Sequence, residues 1–360
     1  MQLTKTTTLL HQTEKFGYFC IINIRKTIQH RYKSKEKCNP KKGLLLGLYL
    51  LLFIYNSFGQ WELNNSKVSI FTKAEYSAGT QNWDIERDNM GRLFIANNEG
   101  VLIYNGVKWE LHPVPNKTIV RSIALSNDGR LYVGAQDEFG YFKPDISGKL
   151  IFTSLKKQLP PSVSSFADVW NIEIIDQDVF FMTPQFIFRY SNNRISYFKP
   201  KTTWTSLNKH HNKLLTQDKK NGIMLFNNGR WESMINPSSL PNGFQITDIK
   251  PFGKGTSLVS TTANGLFLLT RTQIIPFKIS ALIKENHFTT IEVLNGNYFL
   301  LGSYNSGLYK IDKKGNILGN ISSKQGLVSN TIRCLYSGFD GSTWIGMDNS
   351  IALIDWGNSI

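Results

Sequence analysis

Six residues recur at one place in a repeating phrase, two positions before an aliphatic residue expected to be buried. They are Trp83 before Ile85, Arg121 before Ile123, Trp170 before Ile172, Thr247 before Ile249, Thr289 before Ile291 and Arg333 before Leu335. One further unit matches less clearly, with Trp204 or Thr205 as its nearest counterpart. Guanidinium groups grip a carboxylate through paired hydrogen bonds, and indole rings stack on flat apolar faces. If these side chains converge, they suit a carboxylate-bearing or sugar-like ligand. A structural role competes, in which the tryptophans pack between repeats and the arginines bond neighbouring carbonyls.

Catalytic chemistry is harder to find. Histidines at 11, 30, 112, 210, 211 and 287 make no zinc pattern, and no nucleophile elbow, phosphate-binding loop or dinucleotide fingerprint occurs. His210 and His211, as neighbours in a strand, would point to opposite faces, so they read as a loop or surface pair rather than metal ligands. Asp128-Gly129 and Asp340-Gly341 lack the ligand spacing of a calcium loop and read as turns. Gln136–Tyr141 (QDEFGY) reads as a blade-specific turn, with a rim contact as the alternative. No cofactor and no metal are expected.

A repeat must position these residues. Its second turn falls at Gly100, Gly140, Gln185, Gly222, Gly265, Gly307 and Ser350, at gaps of 40, 45, 37, 43, 42 and 43 residues. Between the turns lie short runs such as Leu93-Phe94-Ile95, Leu131-Tyr132-Val133 and Tyr298-Phe299-Leu300-Leu301. They are β-branched or aromatic and lack helical periodicity. Eight Asn-Gly or Asp-Gly pairs suit type I′ hairpin turns. A period of 40–50 residues built from four short strands is that of a β-propeller blade. The expected fold is all-β: a seven-bladed propeller of four-stranded antiparallel blades, whose first strands line the channel and bring the six residues toward one mouth.

Six units carry an outer strand: Lys108–His112, Lys149–Thr153, Arg194–Phe198, Arg230–Met234, Gln273–Phe277 and Asn316–Ile321. Trp109 and Trp231 belong to outer-strand packing. The seventh unit stops after Ile351–Ile354 without one, while Lys67–Phe71 stands unassigned before the first. This N-terminal strand is expected to complete the last blade and close the ring, leaving no open edge.

The seventh unit, Gly326-Leu327-Val328-Ser329-Asn330 with Ile332 and then Asp340-Gly341-Ser342-Thr343-Trp344-Ile345-Gly346, resembles the repeat of two-component-regulator propellers. Gln81-Asn82-Trp83, Phe94–Gly100 and Val133–Phe142 resemble the subgroup found in Bacteroidetes-type sensor regulators. The resemblance covers roughly residues 60–360. It implies a periplasmic sensor, usually followed by a triple-tyrosine immunoglobulin-like domain, a membrane span and a helix-turn-helix or kinase output. The sequence ends at Ile360, as expected of a truncated reading frame or of a propeller acting through a separate partner.

Residues 1–42 hold ten Lys or Arg against two Glu, a net +8 of the chain's +15, and read as a basic leader that need not belong to the mature protein. Gly43–Tyr55 is apolar and too short to span a bilayer, as in a signal peptide. With Ser57-Phe58-Gly59 it makes 43–59 an export signal cleaved before Gln60, or a membrane anchor. Residues 60–360 form the propeller. Three cysteines, at 20, 38 and 334, cannot build a disulfide framework. Export places the domain in the periplasm, or on the inner membrane if the segment is retained. It also removes nucleic acid as a partner despite the basic pI of about 9.6.

The expected role is a ligand-binding input module of a signalling system without catalysis. It takes a small-molecule or glycan ligand and works through a downstream signalling domain or protein. A propeller lyase or hydrolase is the alternative, to be marked by a histidine and acids converging at one mouth. A protein-interaction scaffold is the third reading.

Overall fold

A computed structural model describes residues 66–163, 165–281, 283 and 287–357. The leader and the apolar segment 43–59 lie outside the described residues.

Seven four-stranded antiparallel sheets follow one another along the chain. Their inner strands are Asn82–Arg87, Val120–Leu125, Asn171–Ile175, Trp204–His210, Ile246–Gly253, Phe288–Leu294 and Ile332–Ser337. Each packs beside the inner strand of the next blade, and the last beside the first, so the ring is closed. The sheet of blade 7 has Lys67–Thr72 as its outer strand, in antiparallel register from Lys67 opposite Asp355 to Thr72 opposite Ser350. The expected closure is therefore present, as are outer strands in the six expected stretches.

Closure is supported by local chemistry. Thr72 and Glu75 form a reciprocal cap, with Thr72 N–H and Oγ1 donating to Glu75 Oε2 at 2.6 and 2.8 Å. That cap starts a single helical turn, Lys73–Tyr76, which carries the chain from the closing strand into blade 1. Tyr76 then buries against Trp109, whose ring stacks on Tyr104 as expected for outer-strand packing. Trp231 packs likewise on Phe226 and Trp204.

The core has seven parts, each formed between two adjacent blades. Val101 and Val133 meet between blades 1 and 2, Phe139 and Phe181 between 2 and 3, and Ile85 and Trp344 between 1 and 7. Second strands lie between neighbours on both faces, which is why Leu93–Asn97 and Leu131–Ala135 are buried along their whole length. Adjacent blades approach closely at Gly134, where a Cβ would fall 2.5 Å from Val169 Cγ1.

Two local expectations need correction. Of the eight Asn-Gly or Asp-Gly pairs, only Asn228-Gly229 and Asn295-Gly296 have both φ values positive, as a type I′ turn requires. At three of the others a side chain shapes the turn instead: Asn105, Asp128 and Asp340 each accept a backbone N–H two residues on, at 3.0, 3.3 and 3.0 Å. His210 is also buried rather than on a surface loop, its Nδ1 2.9 Å from Ser257 Oγ in blade 5. Burial lowers its pKa to about 4, because the ring cannot be charged cheaply there.

Candidate functional site

The six residues predicted from the repeat occupy a distinctive backbone position. Pairing between first and second strands slips by one residue at Trp83, Arg121, Thr247, Thr289 and Arg333, so each sits in a β-bulge. Blade 4 bulges at Thr205, which settles its ambiguous counterpart; Trp204 beside it is buried in the core. Trp170 immediately precedes its strand, its N–H donating to Met182 O at 2.8 Å. A bulge breaks strict alternation, so residues two apart do not share a face here. Ile85 packs in the cluster shared with blade 7, whereas Trp83 packs in the one shared with blade 2.

Four of the six come together. The Arg121 guanidinium lies 4.1 Å from the Trp83 ring centre and 4.7 Å from that of Trp170, and the two indoles meet edge to face at 6.0 Å. Arg333 approaches Trp83 from blade 7 at 4.9 Å and Tyr304 at 5.8 Å. His287 stacks on Tyr304 with ring centres 4.8 Å apart. Trp170 remains 41% exposed. Thr247 and Thr289 do not join this group. Their hydroxyls donate to the next blade, to Phe288 O at 2.8 Å and Ile332 O at 2.6 Å. The bulge ring is thus bulky over blades 7, 1, 2 and 3 and small over blades 4, 5 and 6.

Among the described residues neither arginine bonds a neighbouring carbonyl; each is held by a carboxylate. Arg333 donates from Nε and Nη2 to Asp348 at 2.7 and 3.1 Å, and Gln81 Nε2 donates to the same carboxylate at 3.2 Å. Gln81 Oε1 accepts from Asn98 Nδ2, and Asn98 Oδ1 accepts from Trp83 Nε1 at 2.7 Å. This chain of bonds fixes the indole and the guanidinium relative to each other. Arg121 donates from Nε to Asp168 Oδ2 at 3.2 Å, while Asp168 Oδ1 is buried without a hydrogen-bond partner among the described residues.

Sequence reasoning missed Gln81, Asn98, Asp168, His287, Tyr304 and Asp348. The signal for three of them was present: Asn98, Tyr304 and Asp348 stand two or three residues before Gly100, Gly307 and Ser350, the turn that reveals the repeat. Within Gln136–Tyr141 the turn lies at Asp137, with φ 55°, and from Glu138 the segment is the third strand of blade 2, where Glu138 is buried and accepts from Ser154 Oγ and Phe139 N–H.

Deeper in the bore, the inner strands present Asp84, Glu86, Glu173, Asp248 and Glu292 with Lys209 and Lys250. Asp84 and Asp248 each accept from the next blade, from Ile123 N–H at 3.0 Å and Ile291 N–H at 2.9 Å. Lys250 Nζ lies 3.9 and 3.8 Å from Asp248 and Glu292, and Lys209 pairs with Glu173 at 3.3 Å. Burial outweighs these partners and pushes Asp84 and Glu292 up to about 7, and Glu86, which also faces Asp84, up to about 8. Among the described residues, no cluster of three or more His, Cys, Asp or Glu is arranged to hold a metal.

No protein-family model matches the chain, and no curated protein matches it. Solved structures do. The extracellular domain of a putative hybrid two-component system from B. thetaiotaomicron aligns with TM-score 0.60 at 17% identity, over 76% of this chain and 38% of that one. The chain thus spans about four tenths of that domain. A catalytically inactive virginiamycin B lyase from Staphylococcus aureus, with quinupristin, aligns with TM-score 0.65 at 14% identity over 81% and 99% of the two chains. The WD40 propeller domain of Doa1 gives 0.64 at 13% identity over 82% and 98%. The fold is shared with all three, and the likeness to the two-component extracellular domain fits the regulator-propeller phrase read in blade 7.

Proposed function

We propose that this chain is the extracytoplasmic, ligand-binding input module of a signalling system. The observation that carries the reading is the group at the mouth. Arg121 lies between Trp83 and half-exposed Trp170, the Asp168 pair beside it has an unpartnered oxygen, and small threonines occupy the opposite side of the bulge ring. Rings and polar atoms held in advance lose little freedom on binding, which favours recognition. Because both arginines already have carboxylate partners, a neutral small molecule or glycan fits better than a carboxylate-bearing one. The signal then passes to a downstream signalling domain or protein, and the chain is exported by its apolar segment or held by it at the inner membrane.

A propeller enzyme remains the second reading, favoured by one observation: His287 stands at the mouth with Asp168 and Asp348. Both acids are engaged with arginine, however, which suits positioning better than proton transfer. Incubation with glycan and small-molecule pools, followed by mass spectrometry of bound and free material, separates the two. Recovery of an intact ligand supports the input module; turnover that is lost in His287→Ala overturns it.

A further inference from the structure

The face opposite the mouth carries apolar side chains where hairpins normally carry polar ones. Antiparallel alternation puts the turns joining first to second strands, and third to fourth strands, on that face. Four of these tips bear large apolar residues: Met90 is 76% and Val107 89% exposed, and Ile146 and Phe339 are fully exposed. Met90 and Val107 belong to blade 1, Ile146 to blade 2 and Phe339 to blade 7, so they fill one continuous sector. The corresponding tips of blades 3 to 6 are polar, as at Asp176-Gln177, His211-Asn212, Asn228-Gly229 and Lys313-Lys314. The Met90 and Phe339 turns are tied together by Arg87 and Asp340 at 2.6 Å.

Between the turns that carry Val107 and Ile146 lies a cleft of about 280 Å³, lined by Arg92, Lys108, His112 and Lys149 with Glu110 as its acid. Lys108 pairs with Glu110 at 2.5 Å and Arg92 with Asp88 at 2.7 Å. The chain also enters the propeller on this face, because Lys67 pairs with Asp355 at the end of the third strand of blade 7. Ten residues, 56–65, separate Ser66 from the apolar segment Gly43–Tyr55.

We infer that the hairpin tips of blades 7, 1 and 2 form a docking surface for a lipid bilayer. Isolated exposed apolar residues are ordinary, but four on adjacent tips of one face are a patch. Apolar tips beside cationic side chains match the layering of acyl chains beneath phosphate headgroups. The tips enter the apolar layer while the cleft between Val107 and Ile146 receives a headgroup phosphate. The surface persists whether or not residues 43–59 are removed.

Hydrogen exchange of the full chain tests this, with and without vesicles of equal phosphatidylcholine and phosphatidylglycerol. Amides of the four tips should slow roughly tenfold on vesicles, with the tips of blades 3 to 6 unchanged. Met90→Ser with Phe339→Ser should abolish that protection, and Lys108→Gln with Lys149→Gln should weaken it severalfold. Tip exchange unaffected by vesicles, or slowed equally on all seven blades, overturns the proposal. Protection that needs no lipid and grows with protein concentration also overturns it, assigning the patch to a second copy of the chain.

Discussion

Asp248 gives the sharpest stability prediction, because one carboxylate fastens blade 5 to blade 6. Its Oδ2 accepts from Ile291 N–H at 2.9 Å and Thr290 Oγ1 at 3.0 Å, and its Oδ1 from Ile249 N–H at 2.7 Å. Ile291 is fully buried, so Asp248→Ala leaves an N–H that cannot turn to water. Hydrogen bonds to a charged group contribute about 1.5–3 kcal/mol each. Three at face value overstate the loss, since removing a negative charge from an acidic bore gives some of it back. A net cost of about 3 kcal/mol is expected. A propeller of about 290 residues gains about 0.6 kcal/mol/K of entropy at its midpoint, which turns that cost into a fall in Tm of about 5 °C. Asp248→Asn keeps one acceptor and should lose about 1 kcal/mol, or about 2 °C. Calorimetry at neutral pH on the three proteins decides the matter. Equal Tm values for the Ala and Asn variants, or an Ala variant within 1 °C of wild type (roughly the error of the scaling), would refute the claim that this carboxylate holds the blades together.

Glu86 predicts a pH dependence: a carboxyl whose folded pKa is about 8 against an ordinary 4.5 binds extra protons when folded, so its stabilisation is full below pH 4.5 and lost as pH rises toward 8. Partial exposure to the bore and the nearby Lys209 and Lys250 reduce the effect to about 1–2 kcal/mol. Denaturant midpoints from pH 5 to 8 should therefore fall less steeply in Glu86→Gln than in wild type, and parallel curves would contradict the reading. The opposite slope of His210, present below pH 6.5, cancels in that comparison. Gly134→Ala should cost about 1–3 kcal/mol by overpacking against Val169, measured by denaturant unfolding, whereas a neutral result would show the blades able to part there.

The architecture was legible because each blade repeats one physical solution. Second strands buried on both faces carry apolar runs such as Leu93–Ala96, and the turn at Gly100, Gly222 and Gly307 needs a residue that tolerates positive φ and close approach to the outer strand. The closing strand was readable by elimination, since blade 7 lacked an outer strand and Lys67–Phe71 lacked a place. The mouth was legible only in part. Matching Trp83 to Arg121 and Arg333 found the right ring position, but nothing local announces that the backbone bulges there and turns Trp83 away from the face of Ile85. Asp168 was invisible as a partner because a loop brings it to Arg121 from 47 residues away, whereas Asp348 stood at the readable turn of Arg333's own blade. Turn types failed at Asp128-Gly129 and Asp340-Gly341, where the Asp side chain accepts a backbone N–H and only the Gly has a positive φ.

The central claim is that the mouth holds a ligand against Trp170. Trp170 is half-exposed and makes no hydrogen bond through its side chain among the described residues, so Trp170→Ala should leave the unliganded Tm nearly unchanged. The direct measurement is the ligand-induced shift in Tm for wild type and Trp170→Ala, using whichever small molecule or glycan is recovered intact from the pools. The account predicts a shift in wild type that falls at least about tenfold in apparent affinity, or about 1.4 kcal/mol, in the variant. An undiminished shift in Trp170→Ala would contradict it.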